Sequence, residues 1–367
     1  MRMAYHHCTF FTGEEILRDQ ALLVEDGSIL GFVPATGLPS GFSSIDLGGH
    51  LVSSALIDLQ IYGGMGRLFS LYPSVEALTG IYQYCLLGGA GYFQPTVATH
   101  STEMMLAAIE AVRSYQRQGL PGLIGLHLEG PYINPEKKGA HLPKFIKIPS
   151  RADIELLLEK GEGIIRMMTL APERCEPALI RLLQDHGVVV SAGHSNATYQ
   201  EATKAFDLGV GAATHLFNAM SAFQGREPGL VGAILDHSSV CSSVVADGIH
   251  VDFAAIRICK KIMGDRLFLI TDTVETNSQG DYIYIREKDR YVSPDGTLSG
   301  SLLTMMSAVQ NAVEKIGIPL EEALRMASAY PAKVAGRGNI LGRLQAGYRA
   351  DLVVFDRDFR VIETIIA

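Results

Sequence analysis

No tryptophan occurs in the 367 residues, and the five cysteines (Cys8, Cys85, Cys175, Cys241, Cys259) are scattered, odd in number and never in a CxxC pair. A disulfide framework and a thiolate metal site are both excluded on that spacing, and a reduced, cytoplasmic location is expected. No Lys/Arg block exists, and 31 basic against 39 acidic residues leave a net charge of −8, so no nucleic-acid surface is expected. A small anion is still admissible, because one or two local arginines and exposed N–H groups can hold a phosphate. No run of about 18 apolar residues is present, so no membrane span is expected. The first residues, Met1 to His7, lack the apolar core of a signal peptide. With 47% hydrophobic and 19% charged residues, disorder and coiled coil are ruled out.

What is present falls into two textures. Short alternating segments punctuated by glycine cover 5–11, 20–25, 28–33 and 44–47, and the same character returns from Leu344 to the end, in 351–355 and 360–366. They predict one small β-sandwich unit built from residues 1–50 and 344–367. Between them, eight apolar runs alternate with helix-length amphipathic segments such as 101–118, 174–186, 198–208 and 318–329. The runs are 51–59, 91–97, 123–128, 164–170, 187–192, 210–214, 242–246 and 267–271. Eight strand–helix repeats predict an α/β fold, a (β/α)8 TIM-type barrel over 51–343.

In such a barrel the chemistry sits just past the C-terminal ends of the strands. Those positions hold Asp58 and Gln60, His127 and Glu129, His194, His215, Asp247 and His250, and Asp272. A glutamate and two histidines are a recognised ligand set for a catalytic Zn2+ with one position left for water. Such an ion acidifies the bound water and polarises a carbonyl. Asp272, in Leu-Phe-Leu-Ile-Thr-Asp, is placed as the carboxylate that takes the proton and returns it to a leaving group. Other candidates go to structure: His6 and His7 as an exposed strand start, His127 as barrel packing, Met104-Met105 and Met305-Met306 as core filler, and Asp58 as a residue ordering the first strand end.

Motifs spread along nearly the whole chain add a family. They are Leu-His-Leu-Glu-Gly-Pro (126–131), Lys-Lys-Gly-Ala-His (137–141), Ser-Ala-Gly-His-Ser-Asn-Ala-Thr (191–198) and Ala-Thr-His-Leu-Phe-Asn-Ala-Met (213–220). Gly-Arg-Glu-Pro-Gly-Leu (225–230), Ala-Asp-Gly-Ile-His-Val-Asp (246–252), Thr-Asp (271–272) and Gly-Thr-Leu-Ser-Gly-Ser (296–301) follow in order. Together they resemble the N-acetylglucosamine-6-phosphate deacetylases of the amidohydrolase superfamily. The resemblance implies Glu129, His194 and His215 as ligands of one divalent ion, Zn2+ or Fe2+, and Asp272 as general base and acid. It implies His141 and His250 as substrate contacts, one of them polarising the acetyl carbonyl. Asn218 and Ala219 would meet the sugar phosphate, and Ala140, Leu298, Ser299 and Gly300 would line the sugar pocket. Arg226 would reach the phosphate in a neighbouring subunit, which implies a homodimer.

The chain departs from the family pattern in places. Where many amidohydrolases have His-x-His after the first strand, it has Gln60-Ile61-Tyr62, with Tyr62 where the deacetylases usually have Asn. No lysine ends the fourth run, which argues for one metal. After Asp272 the segment Thr273-Val274-Glu275-Thr276-Asn277 replaces the usual small-residue stretch. The expected activity is hydrolysis of N-acetyl-D-glucosamine 6-phosphate to D-glucosamine 6-phosphate and acetate, in amino-sugar catabolism, with metal-bound water as nucleophile. The galactosamine epimer, or another N-acyl substrate, is the alternative.

Overall fold

A computed structural model describes residues 1–367. Eight parallel strands, Leu56–Ile61, Ala90–Ala98, Leu126–Glu129, Ile165–Leu170, Val189–Ala192, Ala212–Ala213, Cys241–Val245 and Leu267–Ile270, pair in chain order. Each run expected from sequence overlaps one of them, with ends that differ by one to a few residues. They were legible because strands wrapped by helices outside and filled by side chains inside are buried on both faces, and so read as unbroken apolar runs. Leu56–Ile61, for example, is buried at every residue.

The ring closes between the last strand and the first by a mixed set of bonds. The Asp272 N–H donates to the Gln60 carbonyl at 3.0 Å and the Tyr62 N–H to the Thr273 carbonyl at 2.9 Å. Beneath them the Thr271 hydroxyl donates to Asp58 Oδ2 at 2.5 Å, and the Thr271 N–H to Oδ1 at 3.2 Å. Asp58 thus ties the two strands together, the ordering role expected of it.

Helices follow the strands and are started by side chains that satisfy their free N–H groups. Ser101 accepts from Met104 N at the head of Thr102–Arg117, and Ser150 from Asp153 N at the head of Arg151–Lys160. Thr198 and Glu201 cap Tyr199–Asp207 reciprocally. Each such cap is worth about 1 kcal/mol. The amphipathic segment at 318–329 gives the helix Leu320–Ala327, with Pro319 as its capping residue rather than inside its first turn. No helix is long and apolar enough to cross a membrane.

The chain ends form two further sheets. Ser28–Pro34, Gln20–Glu25, Arg2–His6 and Ser43–Asp46 make one, in that order; Val361–Ile365, Leu352–Phe355, Leu51–Ser54, Thr9–Phe11 and Ile16–Leu17 make the other. Phe10, Leu22, Val24, Ile29, Val52, Leu352 and Val354 fill the space between them, with Phe10 edge-on to Phe32. Two runs read as single strands from sequence are each two. In 5–11 the chain turns at His7 (φ 54°) and changes sheet. In 51–59, Leu51–Ser54 belongs to the five-stranded sheet and only Leu56–Ile61 to the barrel. The switch occurs in one step: the Ala55 N–H bonds to the Asp351 carbonyl in one unit and the Leu56 N–H to the Gly89 carbonyl in the other. Nothing in the composition changes there, so the sequence hides it.

Candidate active site

At the C-terminal mouth of the barrel lies a cavity of about 150 Å3. Glu129 ends the third strand, and His194, His215 and Asp272 each follow theirs by two residues. Those last three share a feature absent from any sequence pattern: φ is +48° at His194, +39° at His215 and +56° at Asp272. Left-handed backbone at a non-glycine costs about 1–3 kcal/mol and persists only where the surroundings hold it. The turn it makes swings the side chain from the strand line over the barrel mouth.

The protons can be counted residue by residue. His141 Nδ1 accepts the Thr99 N–H at 3.2 Å, so its proton sits on Nε2, which points at Glu129 Oε2, 3.1 Å away. His141 is therefore a donor to that oxygen. Burial, with His194 nearby, pulls it down to about 4, so it is neutral near pH 7. His194 has the opposite tautomer: Nδ1 donates to the Lys137 carbonyl at 2.8 Å and leaves a lone pair on Nε2. That lone pair lies 3.3 Å from Glu129 Oε1 and 3.1 Å from His215 Nε2, which is itself 2.9 Å from Glu129 Oε1. Three atoms able to ligate an ion converge within 3.3 Å of one another, and no partner on Nδ1 fixes the tautomer of His215.

A geometric grouping of Glu129, His141 and His194 as a cation cluster also exists. The His141 tautomer argues against it, because a nitrogen carrying a proton cannot coordinate. Glu129 Oε1, His194 Nε2 and His215 Nε2 are the set that can hold an ion. Ligands at about 2.0–2.1 Å on a tetrahedral centre stand about 3.3 Å apart, close to the observed spacing. The donor set fits the group. His215 Nδ1 is buried without a partner, an exception to the usual support of such histidines. Burial works against charging His215, but Glu129 outweighs it and the net shift is upward. Burial likewise disfavours ionised Glu129, and the surrounding histidines overcome it, holding the carboxyl well below its ordinary range.

Asp272 faces this cluster across the mouth. Its Oδ1 accepts from Gln60 Nε2 at 2.9 Å, and Oδ2 lies 3.8 Å from His250 Nε2. Burial raises its pKa against the pull of His215 and His250. His250 is held by Asp247, whose Oδ2 lies 2.6 Å from Nδ1 and whose Oδ1 accepts the N–H groups of Ile249 and His250, both at 2.8 Å. Its Nε2 is thereby aimed toward Asp272. His127 lies on the barrel floor, as expected of packing: Nε2 is 2.7 Å from Thr169 Oγ1, within a chain of hydroxyls through Thr214 and Ser191. Burial pushes it down to about 4.

Ala140, His141, Asn218, Ala219, His250, Leu298 and Ser299 all line the cavity with the ligand set and Asp272. Asn218 spends its own N–H on the His215 carbonyl at 2.9 Å. Two expected residues lie elsewhere. Gly300 sits behind the wall, where a Cβ would come within 2.7 Å of Val274 Cγ1 and 3.2 Å of the Asp272 carbonyl. Arg226 is exposed and does not line the cavity of its own chain. The sequence reading missed an aromatic wall made by Tyr62, Tyr282 and Tyr284 with Val274. Tyr282 and Tyr284 come from the segment between the last barrel strand and the small sheet Ile285–Arg286, Tyr291–Val292, Leu298–Gly300. The alternation Tyr282-Ile283-Tyr284 was the available signal.

Comparisons with known proteins agree with this geometry. Residues 51–367 match the model of the amidohydrolase family, and residues 3–52 that of the NagA composite domain. The chain is 38% identical to an N-acetylglucosamine-6-phosphate deacetylase of Haemophilus influenzae, covering 100% of this chain and 98% of that one. It is 34% identical to an N-acetylgalactosamine-6-phosphate deacetylase of Escherichia coli O157:H7, over 95% and 94%. The crystal structure of N-acetylglucosamine-6-phosphate deacetylase from Pasteurella multocida superposes with a TM-score of 0.95 at 35% identity, covering 100% and 98%.

Proposed function

We infer the function from this premise: the chain belongs to the amidohydrolase family. It is a hydrolase that deacetylates N-acetyl-D-glucosamine 6-phosphate, giving D-glucosamine 6-phosphate and acetate. The observation that carries the reading is the convergence of Glu129 Oε1, His194 Nε2 and His215 Nε2 opposite a buried, proton-accepting Asp272.

Glu129, His194 and His215 would hold one divalent ion, and Zn2+ suits two imidazoles and a carboxylate. When bound, such an ion supplies Lewis acidity, acidifying water and polarising a carbonyl oxygen. Asp272 takes the proton of the attacking water, kept in place by Gln60 Nε2 on Oδ1. It then returns that proton to the departing amine nitrogen. His250, fixed by Asp247, offers Nε2 on the Asp272 side of the cavity. His141 has its proton committed to Glu129, which favours His250 for the contact with the acetyl oxygen. Ala140, Leu298 and Ser299 shape the sugar side of the pocket, and Gly300 supports it from behind.

No lysine or arginine lines the cavity, although a phosphate needs a positive partner. Asn218 and Ala219 supply neutral contacts, the Ala219 N–H having no backbone partner. The cation would be Arg226 of a second copy, completing a homodimer, whose planar fork suits phosphate oxygens. Phe223, 61% exposed beside it on the same loop, is apolar surface available for that contact. Five free cysteines fit a reduced, cytoplasmic setting.

Acetate release from N-acetylglucosamine 6-phosphate tests the reading, run beside the unphosphorylated sugar and the galactosamine epimer, with metal content measured on the same sample. Fast release from the first alone is expected. Preference for the epimer would move the assignment to the activity named for the Escherichia coli relative, and no release from any of them by metal-loaded protein would refute the substrate.

A further inference from the structure

The first barrel strand ends in Gln60-Ile61-Tyr62, and both polar residues turn into the site although neither belongs to the ligand set or to the proton path. Gln60 Nε2 stands 2.8 Å from Tyr62 Oη, 3.1 Å from Glu129 Oε1 and 2.9 Å from Asp272 Oδ1. Two of these are carboxylate oxygens, so the group facing them is the amide nitrogen, which can only donate. The amide nitrogen has two protons to share among the three oxygens and accepts none, so the one proton of Tyr62 Oη is free for its other neighbour, Glu129 Oε2. The hydroxyl is fully enclosed, with Tyr62 5% exposed and packed among Leu68, Ala98, Val274, Tyr282 and Tyr284.

We propose that Tyr62 is a positioning residue for the metal: its hydroxyl pins Glu129 Oε2, so that Oε1 alone is presented beside His194 Nε2 and His215 Nε2. The inference rests on the metal-site reading above. A carboxylate has two equivalent oxygens and a freely rotating end, and it can swing or chelate through both. Here the two oxygens are sorted by their neighbours. Oε2 takes the Tyr62 hydroxyl and the His141 Nε2–H, while Oε1 has only the longer Gln60 contact at 3.1 Å and faces His194 Nε2 and His215 Nε2. The residue doing this stands two positions after Gln60, where a His-x-His pair would place its second histidine. The ring and hydroxyl then occupy the position of a second ligand and turn it into support for the first site. Partners that hold a ligand in this way change metal affinity about 10–100-fold when removed.

The test is Tyr62→Phe, which removes one oxygen from an otherwise unchanged ring. Holoenzyme loaded with Zn2+ is titrated with a chromophoric chelator, and the affinity is compared among wild type, Tyr62→Phe and Tyr84→Phe. Tyr84 is the control, a nearby tyrosine whose hydroxyl donates to the Leu303 carbonyl at 2.9 Å. About 10–100-fold weaker Zn2+ binding is expected for Tyr62→Phe alone, with kcat and KM restored to within about threefold at saturating Zn2+. Affinity within about twofold of wild type would overturn the proposal. So would a kcat still depressed more than tenfold at full Zn2+ occupancy, which would make the hydroxyl part of the chemistry. A Tyr62→Phe protein that cannot be obtained folded would also overturn it, since the hydroxyl would then be a general structural support. Wild type failing to bind Zn2+ at all would instead remove the metal-site reading beneath it.

Discussion

Asp272→Asn isolates the proton transfers from everything else the residue does. Asparagine has the same shape, and its Oδ1 still accepts from Gln60 Nε2, a bond of 2.9 Å in the parent. The backbone ties are untouched, since the Asp272 N–H to Gln60 and the Ser301 N–H to Asp272, at 3.0 and 3.1 Å, involve no side-chain atom. What disappears is a basic oxygen within reach of the mouth. A positioned base contributes about 10²–10⁴-fold, and here one group serves twice, as base for the water and as acid for the amine. A fall in kcat of at least about 10³ is expected, about 4 kcal/mol in the barrier. KM should stay within about threefold, because no neutral contact is lost. The pH dependence adds a second signature. Burial raises the Asp272 pKa, and the active form is the carboxylate. Wild-type kcat/KM should therefore fall on the acid side as Asp272 takes up a proton, and the variant should lack that limb. Acetate release between pH 4.5 and 8, with metal content measured at each end, reads both. Residual turnover above a tenth of wild type would refute the base assignment, and loss of metal along with activity would make Asp272 a ligand.

Asp58 makes a prediction about stability. Burial pushes its carboxyl up to about 7 from 3.8, so the fold prefers it protonated; its contribution is complete below pH 3.8 and is lost as pH rises towards 7. Between pH 5 and 8 that loss is about 2–3 kcal/mol. In denaturant titrations of metal-free protein, Asp58→Asn should gain on wild type by that amount over the same interval, and a constant difference at the two pH values would contradict it. Arg226→Ala should raise KM for the phosphorylated substrate at least tenfold and leave any turnover of the unphosphorylated sugar unchanged; equal effects on both would refute a phosphate role. Phe93, fully buried and packed on Tyr82 and Tyr115, should cost about 3–5 kcal/mol as Phe93→Ala, seen as a lower denaturant midpoint.

Much of this protein was written in one dimension. The eight barrel strands follow from apolar runs of strand length separated by amphipathic segments, because burial on both faces leaves no room for polar residues. Glu129, His194, His215 and Asp272 were legible because strand ends are the one place in such a barrel where ionisable groups gather. Three-dimensional packing decided the rest. The division at Ala55 is invisible because the chain passes from one core to another without meeting water. Which histidine presents an N–H to the site and which a lone pair depends on partners far away in sequence, Thr99 for His141 and Lys137 for His194. Tyr62 looked like a lost family residue until the fold placed its hydroxyl on Glu129. Sequence sets what a side chain is able to do; its neighbours, fixed only when distant segments pack, decide which of those things it does.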